Sequence, residues 1–331
     1  MRIRLAHIAA IPALAAVLVS PPSASAATAG NRTQPVITQV KTAVKFDFVA
    51  GDSPENINVN PDGSLTVSML GVPANKPPKL VRITSSGQRT TLVGGHLGDQ
   101  ITGNTRGSDG TVYYNVDSDD ASRNGVWKLP PHSRPQRLAA LPVGLPNGLA
   151  IDATGRTLYA ADSYNATVWA VPVSGGPAKI WLSGSALAAD PHGSLPLGVN
   201  GVRFHKGAVW LSNYSQGTLL RIPVTAHGGP GRIRTVADNI PDFDDFSFLN
   251  NRSNIVFAAQ NDPTDRVTVV RPNGTTQTAL TAGDGLASPT TTAVSGNQLY
   301  IADAGFEAPH DAKLQRGTIN LHALTGHPRH P

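Results

Sequence analysis

The chain has 331 residues, 27 Lys and Arg against 22 Asp and Glu, a formal net charge of +5 at pH 7, and no cysteine. Disulfides, thiolate chemistry and cysteine-ligated metals are therefore excluded, and stability has to come from an apolar core. The basic residues form no block and do not interleave with aromatics, which argues against a nucleic-acid partner.

The first 26 residues, MRIRLAHIAAIPALAAVLVSPPSASA, carry Arg2 and Arg4, an apolar run from Leu5 to Val19, and the small triplet Ala24-Ser25-Ala26. This is the layout of a secretory signal peptide with cleavage expected after Ala26. Pro12 interrupts an apolar run already shorter than the roughly 20 residues of a membrane span. The mature chain is thus expected to be secreted, extracellular, soluble and monomeric, with no membrane partner once the leader is gone. Residues 27–38 read as a flexible segment and 324–331 as a disordered tail, in which His327 and His330 carry no metal-site spacing.

Between these ends one pattern recurs with a period of about 45 residues, inside the range of propeller blades. Copies begin at ENINVNPDGSLTVSM (Glu55), TGNTRGSDGTVYYNV (Thr102), NGLAIDATGRTLYAAD (Asn147), NGVRFHKGAVWLSN (Asn200), DFSFLNNRSNIVFAAQ (Asp245) and TTAVSGNQLYIADAG (Thr291). Each holds a short alternating segment, a Gly-, Asn- or Asp-rich turn and a second alternation, the grammar of a hairpin. A third segment follows, such as TVWAVPV from Thr167 or TINLHAL from Thr318, and usually a fourth, such as PAKIWL from Pro177. Helical periodicity is missing, and 33 glycines and 27 prolines would break most helices.

The predicted fold is all-β: a six-bladed propeller over residues 39–323 with four antiparallel strands per blade. The last copy lacks a strand. Residues 39–48, QVKTAVKFDF, alternate and are expected to supply it beside TINLHAL, closing the ring and removing open sheet edges.

In such a ring the first strand of each blade lines the channel, so the residues at its start gather at one mouth. By position these are Glu55, Thr102, Asn147, Asn200, Asp245 and either Thr290 or Thr291. The doublet Asp244-Asp245 has two readings, a ring carboxylate or a solvated loop pair, because the strand register is open by one residue. Glycine after Asn147 and Asn200 is expected to let neighbouring backbones approach closely. Carboxylates and carboxamides together suit Ca²⁺ or another hard divalent cation rather than zinc. The candidate metal ligands are Glu55, Asn147, Asn200 and Asp245, and His192, on the long insertion GSALAADPHGSLPLG, is placed to overhang the channel.

The stretches PENINVNPDGSL, PNGLAIDATGRTLYAADS and VNGVRFHKGAVWLSNYSQGTLLRIPV resemble the senescence-marker-protein and gluconolactonase family. The likeness implies a secreted propeller that hydrolyses a lactone or similar small ester with one divalent cation, usually calcium. It assigns Glu55 and Asn147 to the cation. The chain departs from the pattern twice: Asn200-Gly201 stands where the family has Asp-Gly, and Thr102 where it has a substrate-binding asparagine. An amide cannot take up a proton as a carboxylate does, so Asp245 becomes the candidate base. Thr102, Thr290, Thr291 and His192 are the candidate substrate contacts. Two alternatives remain: a binding propeller that keeps the metal for structure, and the condensation or cyclisation chemistry of strictosidine-synthase-like propellers, for which no glutamate matches in the last blade.

Overall fold

The structure, a computed structural model, describes residues 34–325. The expected leader, most of the segment after it and the end of the tail lie outside the described residues. The chain forms six four-stranded antiparallel sheets, one per copy of the repeat, and is a six-bladed propeller. The inner strands are Pro54–Val59, Gln100–Arg106, Pro146–Ile151, Val199–His205, Phe243–Phe248 and Pro289–Ser295. Each packs against the inner strands of two neighbours, and the first blade meets the sixth.

Local chemistry sets the hairpins. In the turns of the first three blades Asp62, Asp109 and Asp152 accept the backbone N–H two residues on, from Ser64, Thr111 and Thr154. Gly63, Gly110 and Gly155 follow with φ between +68° and +90°, a region that glycine enters without steric cost. The apolar residues of each alternation then face the next blade. Tyr159 and Trp181 of the third blade meet Val202, Val209 and Leu211 of the fourth, and Trp210 of the fourth meets Phe243 and Phe246 of the fifth. The core is thus a set of slabs between blades, which leaves the channel lining free to be polar.

The sixth sheet takes its outer strand from the other end of the chain, where Ile37–Lys45 pairs antiparallel with Lys313–Ile319. Three expectations are corrected here. The strand begins at Ile37 rather than 39, because Val36 and Ile37 are buried against Ile319 and Leu324, and it stops at Lys45. Phe48 instead enters a short 3₁₀ turn, Phe48–Ala50, capped by the Asp47 carboxylate. The segment TINLHAL is not one strand either. Asn320 interrupts it, its side-chain oxygen accepting from the Ala323 N–H at 3.2 Å, and a helical turn Leu321–Thr325 follows. Leu324, assigned to the disordered tail, belongs to the core.

Candidate functional site at the channel mouth

Every inner strand opens with an irregularity in its ladder. In the third blade pairing runs Pro146↔Asp162 and resumes at Leu149↔Ala160, leaving Asn147 and Gly148 out of register. The fourth leaves out Asn200 and Gly201, the second Thr102 and Gly103, and the fifth Asp244 and Asp245. In the first and sixth blades a shorter irregularity leaves out Glu55 and Thr290. The ring at the mouth is therefore Glu55, Thr102, Asn147, Asn200, Asp244 and Thr290.

That register corrects the fifth blade: Asp244, not Asp245, is equivalent to Asn147 and Asn200. Phe243-Asp244-Asp245-Phe246 reads the same in both directions, so its sequence holds no signal for the choice. Asp245 takes the position that is glycine in three other blades.

Those glycines are required by close approach. A Cβ on Gly103 would lie 2.3 Å from the Asn147 carbonyl oxygen, and one on Gly148 would lie 2.4 Å from the Asn200 carbonyl oxygen. On Gly201 it would lie 2.3 Å from Asp245 Oδ1. Each glycine thus admits the ring residue, or the carboxylate, of the following blade.

The threonines are taken up by this packing. Thr102 Oγ1 donates to the Pro146 carbonyl at 2.6 Å, and Thr290 Oγ1 to the Pro54 carbonyl at 3.1 Å, each tying its blade to the next. Thr291 Oγ1 donates to Asp245 Oδ2 at 2.9 Å. All three expected substrate contacts are buried, with their hydroxyls engaged inside the protein. His192 is exposed. Its loop is fastened by other residues: the Asp190 N–H donates to Ser215 Oγ, the Ser194 hydroxyl donates to the Asp242 carboxylate, and the Ser215 hydroxyl donates to the Leu197 carbonyl.

Asp245 is held just as firmly. Its Oδ2 accepts from Arg203 Nη2 (2.5 Å), Asn56 Nδ2 (2.7 Å) and Thr291. Burial pushes its pKa up while Arg203 pulls it back. Oδ1, over Gly201, is buried without a partner. Arg203 and Asn56 were not among the residues expected at the site. Arg203 left only a weak sign, a lone cation within the inner-strand alternation NGVRFH.

The remaining two carboxyl groups of the mouth are held back from ionising by burial. Glu55 is 8% exposed, and its pKa is driven well above the ordinary range by burial and then by Asp244 and Asp245. Burial also raises Asp244 to about 8, although amide hydrogen bonds from Asn261 and Asn200 oppose the shift. Asn200 is 2% exposed, and its Oδ1 has no partner. Three buried carboxylates thus face one guanidinium. The surroundings add to the field: of the 22 acidic residues, all but Asp62, Asp109 and Asp152 lie on loops or strand ends at the mouth face.

Among the described residues, no three acidic, histidine or cysteine side chains converge closely enough to hold a metal ion by themselves. A cation here would take at most two carboxylates, with amide oxygens completing its shell. Glu55 and Asp244, with Asn147 and the unpartnered Asn200 Oδ1, are a hard-oxygen set of that kind. Asp245 does not fit as a ligand through Oδ2, which Arg203 already neutralises.

No protein-family model matches the sequence, and no curated protein is detectably similar to it. Solved structures do resemble the fold. A provisionally assigned gluconolactonase superimposes with a TM-score of 0.62 at 13% identity, over 86% of this chain and 92% of that one. An auxiliary nutrient binding protein from Bacteroides ovatus gives 0.64 at 12%, over 87% and 78%. Virginiamycin B lyase from Staphylococcus aureus gives 0.55 at 12%, over 85% and 100%. At such identities the likeness establishes the propeller and nothing about chemistry.

Proposed function

We propose that the channel mouth binds a divalent cation, Ca²⁺ by its donor set, and that the protein is a gluconolactonase-like hydrolase of a lactone or similar small ester. The observation that carries this reading is the buried pairing of Glu55 and Asp244 beside the unpartnered Asn200 Oδ1: burial opposes ionisation of both carboxyl groups, and a bound cation would offset that cost. Glu55, Asn147, Asn200 and Asp244 would hold the ion. When bound, such a cation supplies Lewis-acid polarisation of a carbonyl oxygen.

The chain's own residues set the proton chemistry. Asp244 replaces Asp245 as the candidate base, because Asp245 Oδ2 already accepts three hydrogen bonds. Asn261 Nδ2 fixes Asp244 Oδ2 at 2.9 Å. In hydrolysis Asp244 takes a proton from water as the water oxygen adds to the carbonyl carbon. It returns that proton to the ring oxygen as the acyl C–O bond breaks. Asn200 orients Asp244 and cannot replace it. The acidic face concentrates cations at the mouth and disfavours anionic substrates, so a neutral lactone is the substrate class.

A second reading is a binding propeller without turnover. The engagement of Asp245 Oδ2 by Arg203, Asn56 and Thr291 favours it, since a carboxylate oxygen so held acts as a strut between blades rather than as a poised base. We further propose export after removal of residues 1–26, which N-terminal sequencing of the mature protein tests.

Titration calorimetry with Ca²⁺ and an aldonolactone assay separate the readings. Hydrolysis that needs Ca²⁺ and falls about 10²- to 10⁴-fold in Asp244→Asn, the usual contribution of a general base, supports the hydrolase. Binding without turnover moves the assignment to the binding propeller. Failure of Ca²⁺, Mg²⁺ and Mn²⁺ to bind at millimolar concentration overturns both.

A further inference from the structure

The face opposite the mouth is formed by the turns that join first to second and third to fourth strands in each blade. Its charge has the other sign. Arg134, Arg156, Lys179, Lys206, Arg232 and Arg252 stand exposed there, from the second to the fifth blades. The acids on this face are Asp62, Asp109 and Asp152, and each is engaged within its own turn. Asp62 is also paired with Arg82. Lys206 Nζ donates to the Arg252 carbonyl at 2.6 Å, bringing the fourth and fifth blades' cations together. A molecule with modest net charge is therefore strongly bipolar.

We propose that this basic face adsorbs to an anionic lipid surface, leaving the channel mouth turned towards solution. The six cations arise from separate turns on one side of a disc. A plane of headgroups meets them all at once, whereas a linear polyanion would touch only a stripe. Nucleic acid is disfavoured for a further reason: among the described residues the large exposed aromatic, Tyr164, is on the mouth face, so the basic face offers no exposed Phe, Tyr or Trp on which bases could stack. Repulsion between the acidic mouth face and the lipid fixes the orientation. Adsorption of this kind is peripheral and screened by salt, since the Debye length falls from about 10 Å at 0.1 M to about 3 Å at 1 M. It departs from the expectation of a mature chain with no membrane partner, and it does not depend on the hydrolase reading.

The test is co-sedimentation of the full chain with phosphatidylcholine vesicles, with and without phosphatidylglycerol, in chelator so that Ca²⁺ cannot bridge. Binding to the anionic vesicles only, abolished at high salt, is expected. Arg156→Glu/Arg232→Glu/Arg252→Glu should weaken it by about tenfold or more, while Lys76→Glu on the mouth face leaves it unchanged. All four sites are exposed, so melting curves should match the parent. Equal binding to neutral vesicles, an unaffected triple variant, or capture of duplex DNA in place of vesicles overturns the proposal.

Discussion

Arg203 on the fourth inner strand, partly buried, and Asp245 on the fifth, buried, form an ion pair with Nη2 and Oδ2 2.5 Å apart. The guanidinium also lies over the Phe246 ring, 5.8 Å from its centroid. The pair spans a blade boundary, so it fixes two inner strands relative to each other. Removing one partner leaves the other charge buried, whereas removing both leaves an almost neutral gap. Arg203→Met should cost about 3 kcal/mol in urea unfolding, and Arg203→Met/Asp245→Asn distinctly less. If the double variant is as unstable as the sum of the singles, the pair is not coupled.

The close approach between blades predicts a sharp contrast among glycines. Gly148→Ala places a Cβ against the Asn200 carbonyl and must move one strand, at a cost of roughly 1–3 kcal/mol. Gly94→Ala meets nothing within 4 Å and should be neutral within about 0.5 kcal/mol. Equal melting temperatures for the two variants would contradict the inner-strand packing.

His205 gives the pH dependence a sign. Its ring stacks on Phe248 with centroids 3.9 Å apart, and burial lowers its pKa below the ordinary 6.5. The folded state therefore binds fewer protons than the unfolded one around that pH. Its contribution to stability is complete above about 6.5 and is lost as pH falls through the lowered folded value. His205→Gln, which keeps a polar partner for Asn254, should flatten the fall in melting temperature on the acid side of 6.5. Proton NMR titration of the parent should place His205 below 6.5; a higher value refutes the assignment.

The chain ends predict the effect of truncation. A protein beginning at Phe46 loses the outer strand of the sixth blade together with buried Val36 and Ile37. Each such side chain stabilises by roughly 1.5–3 kcal/mol when buried, before the lost ladder is considered. Urea unfolding should show a sharply lower midpoint, and an unchanged midpoint would mean that the strand is an ornament.

The blade count, the strands and the close approach at Gly148 and Gly201 were legible in the sequence, because they rest on local signals: alternation of period two, Asx-Gly turns and a repeat that recurs about every 45 residues. Glu55, Asn147 and Asn200 could be placed at the mouth for the same reason, each opening its copy of the repeat. Only the tertiary structure decided the rest. Whether Asp244 or Asp245 faces the mouth depends on a bulge whose position is set by the neighbouring blade, and Phe-Asp-Asp-Phe is blind to a one-residue slip. That Thr102 and Thr290 hold blades together, and that Arg203 meets Asp245, follows from contacts between segments more than 40 residues apart. The separation of charge has the same origin. Along the chain Lys and Arg look scattered among Asp and Glu, but the alternating direction of the strands sends most acidic turns to one face and many basic ones to the other.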